Sequence, residues 1–189
     1  MSTKQMFLGV AVAALLGTAG IDADAAVFEV NVAGWQAHGF YTDEKNSFAL
    51  INIGAGSLVT GFQFTGLNFR TAESSWLNEV VLSVEDAGGT ASMDLVPSNL
   101  DRPGMFGPAS GAWGTNPNSS GATFTTASGF IRVSTWDLYD DLSASPDALF
   151  TSGTLQITVV PIPEPATYAL MAFGLAATAL ARRRQRRGN

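Results

Sequence analysis

The chain is expected to fold as an all-β protein, an antiparallel β-sandwich or jelly roll of about eight strands. A signal peptide should precede this domain and a single C-terminal membrane helix should follow it. Three observations predict the fold. Apolar residues between Ala26 and Val160 recur with period two, the spacing of half-buried strands. The same stretch holds no sustained helical periodicity. Its punctuation is Gly, Asn, Asp and Ser, the residues of tight turns.

The elements follow in order. Met1 to Gln5 carries Lys4, Met6 to Leu16 is an apolar core, and Ala23-Asp24-Ala25 places small residues where a signal peptidase reads them. Residues 1–25 are therefore a secretory signal, cut between Ala25 and Ala26. In the exported domain, residues 26–160, Phe28, Val30 and Val32 alternate with Glu29 and Asn31, and Val80, Leu82 and Val84 alternate with Glu79, Ser83 and Glu85. Leu58, Thr60, Phe62 and Phe64 are assigned to one face, as are Leu155, Ile157 and Val159. Phe48 to Ile53, Ser92 to Val96 and Gly129 to Trp136 are further strands. Gly107 to Gly129, rich in Gly, Ser, Thr and Asn around Trp113, reads as a long loop or a covering strand.

Charge and composition narrow the function. Between Ala26 and Val160 four basic side chains face thirteen acids, a net charge of −9. Nucleic acid is excluded as a partner, because binding it rests on neutralising phosphates. The chain has no cysteine, which removes disulfides, thiolate metal sites and cysteine nucleophiles from consideration. Its one histidine, His38, lies in a polar turn without a nucleophile elbow nearby, so a structural role is expected. Gly54-Ala55-Gly56 lacks the third glycine of a dinucleotide fingerprint and precedes a strand, and reads as a hairpin turn.

Two kinds of side chain suggest binding. Asp137, Asp140 and Asp141, with Asp147 close behind, form the densest acidic group. Calcium is the ion that such carboxylates and neighbouring carbonyls would take, with Asp137, Asp140 and Asp141 as ligands and Glu85 or Asp86 as a separate site. Trp35, Trp76, Trp113 and Trp136 could stack on sugar rings. Trp76 and Trp136, in or beside strands, are expected in the core, which leaves Trp113 as the exposed glycan contact. Thirteen acids also allow many pairings for glycoside hydrolysis, which only their separation in space can decide.

The C-terminus, residues 161–189, has three parts. Pro161, Pro163 and Pro165 alternate with Ile162 and Glu164, which keeps the segment extended. Residues 166–181 carry no charge; sixteen helical residues reach roughly 24 Å, a marginal span of a ~30 Å hydrocarbon core. Arg182, Arg183, Arg184, Arg186 and Arg187 follow, stopping transfer and keeping the tail cytoplasmic.

Val160-Pro161-Ile162-Pro163-Glu164-Pro165-Ala166, the apolar run containing Gly174, and Arg182 to Arg184 together resemble the sorting signal of PEP-CTERM proteins. The resemblance implies an exported bacterial protein, recognised at Pro163, Glu164 and Pro165 and cut by exosortase, an integral-membrane, sortase-like cysteine transpeptidase. It further implies a host that makes exopolysaccharide and a fate at the cell surface or in the extracellular matrix. Ser75-Trp76-Leu77-Asn78-Glu79 leading into Val80 to Val84, Glu85-Asp86 before Gly88-Gly89, and Ser152-Gly153-Thr154-Leu155 are similar to the bodies of such proteins. Those bodies look like jelly rolls related to the P domain of subtilisin-like convertases. A non-enzymatic structural or adhesive β domain is the leading expectation, with partners exosortase, signal peptidase and extracellular polysaccharide. A secreted glycan- or calcium-binding module is the alternative, and a hydrolase comes third.

Overall fold

The structure, a computed structural model, describes residues 24–142, 145–161, 171–178 and 183. The expected signal peptide up to residue 23, the Pro163-Glu164-Pro165 cluster, most of the 166–181 run, and Arg182, Arg184, Arg186 and Arg187 lie outside the described residues. The domain is all-β, as its alternation requires. Its strands are β1 (Ala26–Asn31), β2 (Gln36–Ala37), β3 (Phe48–Asn52), β4 (Leu58–Thr71), β5 (Val80–Asp86), β6 (Ser92–Leu95), β7 (Met105–Ala112), β8 (Ser119–Gly121), β9 (Phe124–Thr125), β10 (Phe130–Asp137) and β11 (Ala148–Val160).

Two antiparallel sheets form. One runs β1-β11-β4-β7, with β2 added beside β11 and β9 beside β4; the other runs β3-β10-β5-β6-β8. Each strand gives its apolar parity to the space between them. Phe62, Phe64, Leu67, Phe69, Phe150 and Ile157 enter from the first sheet, and Leu82, Val84, Met93, Leu95, Ile131 and Val133 from the second. Phe69 is the hub, with the rings of Phe106 and Phe150 each 5.1 Å from its own.

The strands depart from simple alternation where the ladder slips. Along β4 the buried residues are Val59, then Phe62 and Phe64, then Leu67 and Phe69. The first change of parity is a bulge: Thr158 pairs with Gly61 and Val159 with Val59, so Thr60 is left over. A bulge flips every later side chain to the other face. Leu58 and Thr60 therefore do not share the face of Phe62 and Phe64, contrary to the expectation from spacing. Gly54-Ala55-Gly56 is likewise not a hairpin turn. It carries the chain from β3 in one sheet to β4 in the other, with Gly54 and Gly56 at φ of 88° and 75°, conformations glycine adopts without steric cost. The stretch from Gly107 to Gly129 is more ordered than its composition suggests, holding most of β7 and all of β8 and β9.

The ladder also places the two ends of the domain. Ala26 pairs with Val159, so the chain enters and leaves side by side at one end of the sandwich. Ala148 pairs with Thr71 and Ala37 at the other end. β11, with 13 residues at about 3.3 Å each, spans roughly 40 Å between them.

Candidate functional site

Parity on the second sheet leaves one set of side chains on its outer face. Ile131 and Val133 point into the core, so Arg132, Ser134 and Trp136 of β10 point out; by the same rule β5 presents Ser83 and Glu85, and β6 presents Ser92 and Asp94. The register sets Ser83 opposite Asp94, Ser92 opposite Glu85, and Glu85 opposite Arg132. The indole Nε1–H of Trp136 donates to Ser83 Oγ at 2.6 Å, and the Ser83 hydroxyl donates to Asp94 Oδ1 at 2.6 Å. Asp94 Oδ2 accepts from the Ser92 hydroxyl at 3.2 Å. This relay fixes the indole across the strands. Tyr41 meets it edge-on, with ring centroids 6.4 Å apart and planes at 65°.

These residues line an open groove of about 480 Å³ whose far wall includes Thr90 and Thr123. That volume lies within the roughly 300–1,000 Å³ of small-molecule sites. Glu85 is pinned from the other side, 3.4 Å from Arg132 Nη1, while the guanidinium lies 4.6 Å over the Phe48 ring. Burial raises the Glu85 carboxyl above its ordinary range; Arg132 pulls it back and the Asp94 charge adds to the rise. The groove thus combines two aromatic rings, several hydroxyls and two carboxylates. Rings stack on the apolar face of a sugar, while hydroxyls and carboxylates bond its OH groups.

The acidic group sits elsewhere, at the end of the sandwich opposite the chain exits. Asp137 closes β10 and Asp147 immediately precedes β11, both with no exposed surface. Asp137 Oδ1 accepts from the Tyr139 backbone N–H at 3.2 Å, and Asp147 Oδ1 accepts from the Ser75 hydroxyl at 2.9 Å. The second oxygen of each carboxylate has no partner among the described residues. Burial pushes Asp137 up to about 7, opposed by the Tyr139 N–H and aided by the charges of Asp147, Glu79 and Asp141. Asp147 is raised mainly by burial, with Ser75 and His38 opposing and Asp140 and Asp141 adding. Asp140 and Asp141 are exposed, and no three acidic or imidazole side chains converge on one point among the described residues. Asp137 and Asp147 are buried where Asp140 and Asp141 are exposed, and Asp147 heads the charges that act on Asp137, followed by Glu79 and Asp141.

The tryptophans are distributed differently from expectation. Trp113 does not lie in a free polar loop: it packs half-buried against the core, and its Nε1–H is held by the Ser120 carbonyl at 2.7 Å. Trp76, expected in the core, is 42% exposed because it sits in the turn before β5, where its N–H bonds Glu79 Oε2 at 2.8 Å. Trp136, also expected in the core, is half-buried on the outer face. His38 is buried, with Nε2 3.1 Å from Gln36 Oε1 and its backbone N–H bonded by Asn46 at 2.7 Å. Of the two residues offered as a separate calcium site, Glu85 is paired with Arg132, and Asp86 Oδ2 accepts from the Gly88 N–H at 3.1 Å in the turn after β5. Tyr41, Ser83 and Asp94 were not singled out by sequence. The available signal was parity: Ser83 and Asp94 are the polar alternates of strands whose apolar residues were already assigned inward.

Residues 161–187 match the PEP-CTERM protein-sorting motif. It marks an exported protein and implies exosortase as its processing partner. No curated protein matches the chain closely enough to count as a relative. Among solved structures the chain is similar to one described as "Structure of infectious bursal disease virus Gx strain", at 14% identity over 71% of this chain and 32% of that one, with a TM-score of 0.29. The chain therefore spans about a third of that protein's length.

Proposed function

We propose that the chain is a non-enzymatic protein of the cell surface or extracellular matrix, released at Pro163-Glu164-Pro165 by exosortase and adhering to exopolysaccharide through the groove beside Trp136. The observation that carries this reading is the sorting motif, which begins at Pro161, the residue after β11 ends. A substrate peptide whose alternating prolines already restrict its backbone has little freedom to lose on entering an enzyme cleft. The helix at 171–178 supports a membrane stage: Met171, Phe173 and Leu175 are 53%, 73% and 62% exposed, an apolar surface that lipid would cover. No helix among the described residues is long and apolar enough to cross a membrane; the proposed span is the full run of residues 166–181, stopped by the arginines. Removal of a signal peptide between Ala25 and Ala26 would leave β1, which starts at Ala26, complete.

The groove supports the adhesive part. Its two carboxylates and the domain's charge of −9 disfavour uronic-acid polymers and favour neutral or amine-bearing sugars. Replacing Pro163, Glu164 and Pro165 together by alanine is expected to leave full-length protein in the inner membrane; normal release of that variant contradicts the sorting step. Binding of the full chain to cellohexaose, chitosan oligomers and oligogalacturonate tests the groove. Selective binding of the first two, lost in Tyr41→Ala, is the expected result.

A further inference from the structure

We infer that Asp137 and Asp147 together hold a calcium ion at the end of the sandwich remote from the sorting signal. The inference is independent of the groove and of the sorting motif. Both carboxylates are wholly removed from solvent, and each uses one oxygen in a hydrogen bond while the other has no protein partner. The charges acting on Asp137 come from Asp147, Glu79 and Asp141, all negative. Asp147 feels Asp140 and Asp141 as well, against His38 alone. Asp137 thus has no cationic neighbour among the charges acting on it, and Asp147 has only His38; burying carboxylate charge with so little compensation costs several kcal/mol, and two unpaired carboxylate oxygens are what a cation needs.

The surroundings select the ion. The chain has no cysteine, and among the described residues its one histidine, His38, forms no three-residue metal group with the two acids, so the donors offered are oxygens rather than a zinc-type N/S set. Two carboxylates fall short of a full shell, and among the described residues no third acidic side chain joins them. The remaining positions fall to backbone carbonyls, the Ser75 hydroxyl and water. Calcium accepts such irregular shells of 6–8 oxygens, whereas magnesium demands near-ideal octahedra and gives up water reluctantly. The site also has a mechanical role. Segments around Ala37 and Gly39, around Ala72, and the loop between β10 and β11 meet there through Asp147 N–H to Ala37 O at 2.8 Å, Asp137 N–H to Gly39 O at 2.9 Å and Ala72 N–H to Asp147 O at 2.9 Å. An ion at this point ties the two sheets where no disulfide can.

The test is calcium titration of the full chain in detergent, followed by calorimetry and by thermal melting in calcium or EDTA. One ion should bind per chain, and saturating calcium should raise the melting temperature by roughly 5–10 °C. Asp137→Asn should abolish this rise while melting in EDTA no lower than the wild type, because the uncompensated charge is gone. Asp140→Asn combined with Asp141→Asn should keep the rise. Absence of binding to the wild type overturns the inference whether or not the variants fold. So does a calcium response that survives Asp137→Asn, or one lost only with Asp140 and Asp141.

Discussion

Trp136 shows what a single residue contributes to the groove. Its indole N–H begins the relay through Ser83 to Asp94, so Trp136→Phe keeps a ring but frees it to turn and leaves Ser83 buried without its donor. Saccharide affinity is expected to fall about tenfold with stability changed by about 1 kcal/mol, read by calorimetry beside urea melts. Glu85 gives a pH signature. Its folded carboxyl is raised, chiefly by burial, so the folded state holds the proton more tightly than the unfolded chain. The corresponding stability is fully present below about pH 4.5 and is lost as pH rises through the folded value. Glu85→Gln should flatten that part of the decline in urea melts made in saturating calcium; an unchanged slope contradicts the assignment. The sequence identified Asp137 and Trp136 as residues of interest but not their surroundings. The buried companion of Asp137 is ten positions away, and the exposure of Trp136 depends on which parity of β10 meets the core, a matter decided by β5 and β3 on either side.

At the scale of elements, period two made β1, β5 and the end of β11 legible, because one parity of each turns its apolar residues to the core: Phe28 and Val30, Val80, Leu82 and Val84, and Leu155, Ile157 and Val159. β4 was only partly legible, since the leftover Thr60 reverses parity within one apolar run. β7 was left open between a loop and a covering strand because Met105–Ala112 is exposed or half-buried and carries Gly and Pro, which local preference assigns to loops; pairing with β4 makes it a strand. The β4–β11 ladder is the spine of the first sheet, and Phe150 and Phe69 are its largest apolar contact. Phe150→Ala is expected to cost about 3–5 kcal/mol, seen as a shift of the denaturation midpoint without a change in slope. Gly129→Ala should also destabilise: its φ is 78°, and an added Cβ would lie 2.6 Å from the Ala55 nitrogen, in the crossover that joins the sheets.

For the whole molecule, the pairing of Ala26 with Val159 puts the first and last strands' outer ends together at one end, with the acidic pair at the other. On the proposed sorting route, a domain tethered through its C-terminus would present Asp137 and Asp147 away from the membrane. The sorting signal was the most legible part of the chain, because its proline spacing, apolar run and arginines act through local physics and require no fold. The groove was the least legible part, because it is assembled from side chains of β5, β6, β10 and the turn at Tyr41. The most direct measurement of the central claim is the intact mass and cellular fraction of the protein from its native host. The account predicts a mature chain beginning at Ala26, ending near Pro163-Glu164-Pro165 and located at the surface or in the matrix. A mature chain that retains Arg187 and stays in the inner membrane would contradict it.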